Sequence, residues 1–116
     1  MGTKEQVISA LQKWAKKIED PEVSDRFEDW SKTVQFTMKD LTAHFKFIIE
    51  NQKARIEEGL DEAPSMSVIT TSDIIIGITE GAIDPMEAFM NGDLEAKGNL
   101  PDLTKLEVLM DVDDED

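Results

Sequence analysis

At 116 residues, with 40% hydrophobic and 33% charged side chains, the chain has the size and balance of one globular domain and of neither a disordered nor a fibrous protein. The absence of cysteine excludes disulfides, thiolate metal sites and thiol chemistry, and a net charge of −14 argues against nucleic-acid binding, which needs a clustered basic surface. The longest aliphatic run, Ile74-Ile75-Ile76, is far short of a membrane span, and the opening Met1 to Gln6 has no apolar signal core, so a cytoplasmic chain is expected.

The first predicted element is an amphipathic helix. Thr3 and Gln6 have capping-box spacing, and Val7, Ile8, Leu11, Trp14, Ala15 and Ile18 recur at helical intervals. Asp20-Pro21 has the form of an N-cap and N1 pair, which predicts a second, shorter helix with Val23, Phe27 and Trp30 on one face. From Thr33 the period becomes two. Val34, Phe36 and Met38 alternate with polar residues, Lys39-Asp40 can turn the chain, and a second strand is expected from Leu41 to Glu50 with Leu41, Ala43, Phe45, Phe47 and Ile49 inward. Lys53 to Glu57 predicts a third strand with Ala54 and Ile56 inward. After an irregular stretch from Gly59 to Pro64, Ser65 to Thr71 predicts a fourth.

Helical spacing then returns. Ser72-Asp73 can cap a helix that carries Ile74, Ile75 and Ile78, ends at Gly81 and is weakened by Gly77. Asp84-Pro85-Met86-Glu87 is a sharp helix start, because it combines an N-cap carboxylate, a proline at N1 and a glutamate at N3, and Asn91-Gly92 is a stop. Asp93 to Lys97 predicts a short fifth strand with Leu94 and Ala96 inward. Pro101 to Met110 predicts a last helix with an apolar face of Leu103, Leu106, Leu109 and Met110, and residues 111–116 are expected to form a flexible acidic tail. The expected fold class is therefore α+β, a two-layer domain whose five-stranded sheet is covered on one face by helices. One domain spans residues 1–116.

Charge is distributed unevenly. Residues 1–55 carry ten basic and nine acidic side chains, whereas residues 56–116 carry two basic and seventeen acidic. Transient contact with an anionic membrane would therefore come through the N-terminal half, where Lys13, Lys16 and Lys17 lie close together, although such a run also suits an ordinary solvated helix face. His44 is the sole histidine and lacks the partners a metal site needs; it reads as a surface residue on a polar strand face. No serine or threonine sits in a nucleophile elbow, the acidic tail lacks the glycine and distal glutamate of a calcium loop, and the glycines do not form a phosphate-binding loop. Catalysis, metal and cofactor are not expected. Six methionines and five phenylalanines remain, and they could line an adaptable apolar cavity, although by composition alone ordinary core packing is the better reading.

The stretch Gly81-Ala82-Ile83-Asp84-Pro85-Met86-Glu87-Ala88-Phe89-Met90-Asn91-Gly92-Asp93-Leu94-Glu95-Ala96-Lys97-Gly98-Asn99 resembles the C-terminal pattern of the sterol carrier protein type 2 family, and Leu103-Thr104-Lys105-Leu106 continues it. Ser72-Asp73 after a strand and Val34-Gln35-Phe36 in the first strand are similar to that family as well. The resemblance implies an apolar tunnel between sheet and helices that binds and transfers a sterol, fatty acid, acyl-CoA or phospholipid, with no catalytic residue. Carried onto this chain, it implies tunnel walls of Phe36, Phe45, Phe47, Ile75, Ile78, Met86, Phe89, Met90, Leu103, Leu106 and Met110. The end Asp113-Asp114-Glu115-Asp116 lacks a peroxisomal tripeptide, which suits a free-standing bacterial or archaeal form. The alternative is an accessory or dimerisation module that delivers substrate to, or packs on, a partner enzyme or a second copy of itself.

Overall fold

In a computed structural model, which describes residues 2–21, 25–28, 30–60, 63–99 and 101–102, helix α1 (Lys4–Ile18) leads into a mixed sheet of five strands. The strands are β1 (Lys32–Met38), β2 (Ala43–Glu50), β3 (Lys53–Glu58), β4 (Met66–Thr70) and β5 (Glu95–Lys97). Helices α2 (Ser72–Thr79) and α3 (Pro85–Asn91) lie between β4 and β5 in the chain. The sheet order is β3-β2-β1-β4-β5, with β1 parallel to β4 and the other neighbouring pairs antiparallel.

α1 begins as its sequence requires. The Thr3 hydroxyl accepts from the Gln6 N–H at 3.2 Å, and the Thr3 N–H donates to Gln6 Oε1 at 3.0 Å, a reciprocal cap that satisfies two donors no helical carbonyl can reach. Val7, Ala10, Leu11, Trp14 and Ile18 are buried, and α1 packs against α2 and across β3. At the expected second helix Pro21 is helical, residues 22–24 lie outside the described residues, and Asp25–Phe27 form a short 3-10 turn. Val23 lies outside the described residues; Phe27 is buried, and its ring meets the half-buried Trp30 edge-on at 5.3 Å.

The period-two pattern sets one face of the sheet. Phe36 stands opposite Phe45 on β2 and Val68 on β4, and Val34 stands opposite Phe47 and Met66, so these side chains stack in adjacent rows on the helical side. β2 starts two residues later than its alternation suggests, because Leu41 N–H donates to the Met38 carbonyl at 3.2 Å and Thr42 takes a φ of 50°. Asn51 and Gln52 both have positive φ, as twisted two-residue hairpins require. From β3 the chain must cross to the far side of β1. Gln35 is buried beside this crossing, on the face where alternation predicts exposure, and its amide donates to the carbonyls of Phe45 and Gly59 at 3.3 and 3.1 Å.

Ser72 does not act as a cap. Thr71 holds the N-cap position without a side-chain bond, while the Asp40 carboxylate accepts from both the N–H and the hydroxyl of Ser72, and that hydroxyl accepts from the Gly2 N–H at 2.9 Å. Gly77 has a packing reason. A Cβ there would collide with the Ile83 side chain, and the turn folds back so that Ala82 and Ile83 both donate to the Gly77 carbonyl. α3 follows its sequence: Asp84 caps Met86 N–H, Pro85 fills the first turn, and Gly92 ends the helix at a φ of 84°. The last predicted helix is described only at Pro101 and Asp102, which are helical; residues 103–116, the expected acidic tail included, lie outside the described residues.

Candidate functional site: an apolar layer between sheet and helices

Between the inner sheet face and α1 and α2 lies a continuous layer of fully buried large side chains, among them Trp14, Phe27, Phe36, Phe45, Phe47, Leu11, Met38, Met66, Ile75 and Ile78. Its centre is aromatic. The Phe36 ring lies 6.0 Å from Trp14 and 6.0 Å from Phe47, the second contact edge-on at 88°. Each of these side chains is placed by a local rule: Trp14 by the 3.6-residue spacing of α1, the phenylalanines by alternation on β1 and β2.

The eleven residues expected as tunnel walls fall into three groups. Phe36, Phe45, Phe47, Ile75 and Ile78 are buried together in the layer. Met86, Phe89 and Met90 stand on the outer side of α3 and are 43%, 50% and 75% exposed; of that helix only Ala88 is buried. Leu103, Leu106 and Met110 lie outside the described residues. α3 thus offers solvent three large apolar groups within five residues.

The polar chemistry lies at the edges of the layer. Burial raises the Asp40 carboxyl's pKa, but the hydrogen bonds from the Ser72 hydroxyl and N–H outweigh it and hold the group below the usual carboxylate range. Thr70 donates to the Asp93 carbonyl, Thr79 to the Ile76 carbonyl, and the buried Asp102 pairs with Lys32 at 3.5 Å. Trp14 differs from all of these. Its indole Nε1 is buried and meets no acceptor among the described residues. Spacing marks Trp14 as core, but no sequence signal says that its N–H lacks a partner.

His44 is half-buried on the opposite face of the sheet, its Nδ1 3.1 Å from the Thr37 hydroxyl, away from the apolar layer. Among the described residues no three histidine, aspartate or glutamate side chains group as a metal site would require. An open cleft of about 350 Å³ lies along the α1–α2 contact, lined by residues that include Gln6, Ala10, Lys13, Ile76, Asp73 and Glu80. Of the three N-terminal lysines, Lys13 and Lys16 are exposed and Lys17 is half-buried. No helix among the described residues is long and apolar enough to cross a membrane.

A family model described as the SCP-2 sterol transfer family matches residues 11–111. No curated protein matches the chain. Among solved structures, the chain is similar to the sterol carrier protein domain 2 of Helicoverpa armigera, at 18% identity and a TM-score of 0.69, covering 94% of this chain and 90% of that one. It is also similar to sterol carrier protein 2 of Aedes aegypti in complex with palmitate, at 20% identity and a TM-score of 0.67, covering 95% and 96%. A third likeness is to the inverting sec-alkylsulfatase of Pseudomonas sp., at 18% identity and a TM-score of 0.65; it takes in 77% of this chain but only 14% of the sulfatase.

Proposed function

The chain belongs to the SCP-2 sterol transfer family, and from that membership we propose that it binds and carries an apolar ligand, a sterol, fatty acid, acyl-CoA or phospholipid, between its sheet and helices. The observation that carries this reading is the apolar surface itself: Phe36, Phe45, Phe47, Ile75 and Ile78 form a buried layer between sheet and helices, and Met86, Phe89 and Met90 of α3 stand exposed to solvent. An alkyl chain laid along that surface gains about 0.8 kcal/mol for each methylene removed from water. The palmitate held by the Aedes aegypti relative supports a long alkyl chain as the part of the ligand that is buried. In this reading residues 1–116 are one non-catalytic domain that needs no cofactor, works in the cytoplasm and touches anionic membranes transiently through Lys13, Lys16 and Lys17. The same reading counts Leu103, Leu106 and Met110 toward the wall on the family resemblance alone.

Native mass spectrometry of the protein purified from its host tests the proposal, together with titration of a fluorescent acyl probe. A co-purified lipid mass and saturable probe binding are expected. Ligand-free protein in repeated preparations, with no probe binding, refutes the carrier role.

The sulfatase likeness favours a second reading, because there a chain of this shape forms part of a much longer enzyme. The domain would then pack on a partner enzyme, or on a second copy of itself, and present substrate to it. Light scattering over a range of concentrations separates the two: a dimer that occludes α3 supports the module, whereas a monomer that binds probe supports the carrier.

A further inference from the structure

Five buried polar side chains among the described residues, Gln35, Thr70, Ser72, Thr79 and Asp102, have hydrogen-bond or ion-pair partners within the chain. The Trp14 indole N–H has none among the described residues, although Trp14 is only 1% exposed and lies against Phe36 in the middle of the apolar layer. Buried indoles normally find an acceptor, since an unsatisfied buried donor is a net loss that an apolar ring of similar shape avoids. We propose that the missing acceptor is an uncharged oxygen of the bound lipid, a hydroxyl, ester or ketone, and that Trp14 thereby selects neutral oxygenated lipids over free carboxylates. This inference rests on the carrier reading and names the ligand class for that same site.

Charge decides between a neutral and an ionised acceptor. No lysine, arginine or histidine is among the buried residues described, and the buried acid Asp102 already has Lys32. A carboxylate drawn to Trp14 would be a buried anion facing a single neutral donor, which is strongly unfavourable; a hydroxyl or carbonyl oxygen matches that donor without a charge to desolvate. The approach has the same bias. Ala10, one turn before Trp14 on α1, lines the open cleft beside α2. Lys13 on the cleft wall is outnumbered by Asp73 and Glu80, which disfavours the entry of an anion.

The test compares wild type with Trp14→Phe, which keeps an aromatic ring and removes the donor. Displacement of a bound fluorescent alkyl probe is measured with 1-dodecanol, dodecane and dodecanoate at pH 8, and the indole N–H resonance of Trp14 is followed in ¹⁵N-labelled wild type. Dodecanol is expected to bind wild type about five- to tenfold tighter than the variant, while dodecane binds both alike, as the loss of one hydrogen bond implies. The indole proton of wild type should shift downfield with dodecanol and not with dodecane, a readout that does not depend on how well the variant folds. Dodecanoate should bind wild type more weakly than dodecanol. An unmoved indole resonance at saturating dodecanol, or dodecanoate binding as tightly as dodecanol, overturns the assignment and leaves the carrier role standing. If the probe itself binds neither protein, the carrier role falls and takes this inference with it.

Discussion

Substitution of Gly77 by alanine sets two effects of opposite sign against each other. Gly77 lies inside α2, where alanine is favoured over glycine by about 1 kcal/mol in an exposed helix interior, so propensity alone predicts a gain. The position is buried, however, and the new Cβ would stand 2.8 Å from Ile83 Cγ1 and closer still to Cδ1. Ile83 is β-branched and stiff, and its backbone is tied to the Gly77 carbonyl at 3.1 Å, so it cannot swing aside freely. Overpacking of this kind costs roughly 1–3 kcal/mol, which exceeds the propensity gain and leaves a net loss of about 1 kcal/mol. In a domain of this size that lowers the melting temperature by about 4 °C. Urea denaturation of wild type, Gly77→Ala, Ile83→Ala and the double variant measures both the loss and its cause. If the collision is the cause, the double variant should be more stable than the sum of the single changes predicts, by roughly 0.5 kcal/mol or more. A Gly77→Ala protein more stable than wild type, with strictly additive energies, would show that helix propensity governs the site and that the packing argument is wrong.

Asp40 makes stability depend on acid. Its folded pKa lies below the ordinary value of 3.8, so its contribution is complete above that value and is lost as pH falls through the folded pKa. Thermal melts from pH 5 to pH 2 should therefore show a steeper decline for wild type than for Asp40→Asn; parallel curves would contradict the assignment. Gln35→Ala should cost about 1–3 kcal/mol, because the carbonyls of Phe45 and Gly59 each lose a donor, and amide exchange should quicken around Gly59. A change within about 0.5 kcal/mol would mean that water replaces the amide without loss. Phe89→Ser combined with Met90→Ser should leave unfolding free energy within about 0.5 kcal/mol of wild type, as expected for exposed positions, yet weaken acyl-probe binding several-fold. Unchanged binding would remove α3 from the proposed wall.

Local periodicity and cap chemistry carried much of this protein in the amino-acid order alone. The capping box of Thr3 and Gln6, the alternation of Val34, Phe36 and Met38 with Gln35 and Thr37, and the start of α3 at Asp84-Pro85 depend on neighbours within a few residues, so the sequence states them directly. The motif from Gly81 to Asn99 likewise pointed to the family that the match over residues 11–111 establishes. What the sequence could not settle depends on residues far apart in the chain. Gln35 is buried on the nominally exposed face because the chain crosses beside it, 24 residues later, at Gly59. Ser72 bonds to Asp40, 32 residues away, instead of capping its own helix, and Gly77 is required by the turn that brings Ile83 back onto it. The indole of Trp14 belongs to the same class: helical spacing places its ring inside, but only the surrounding layer shows that its N–H meets no acceptor there. A binary pattern specifies which side of an element is apolar, whereas hydrogen-bond satisfaction and steric fit are properties of the assembled interior.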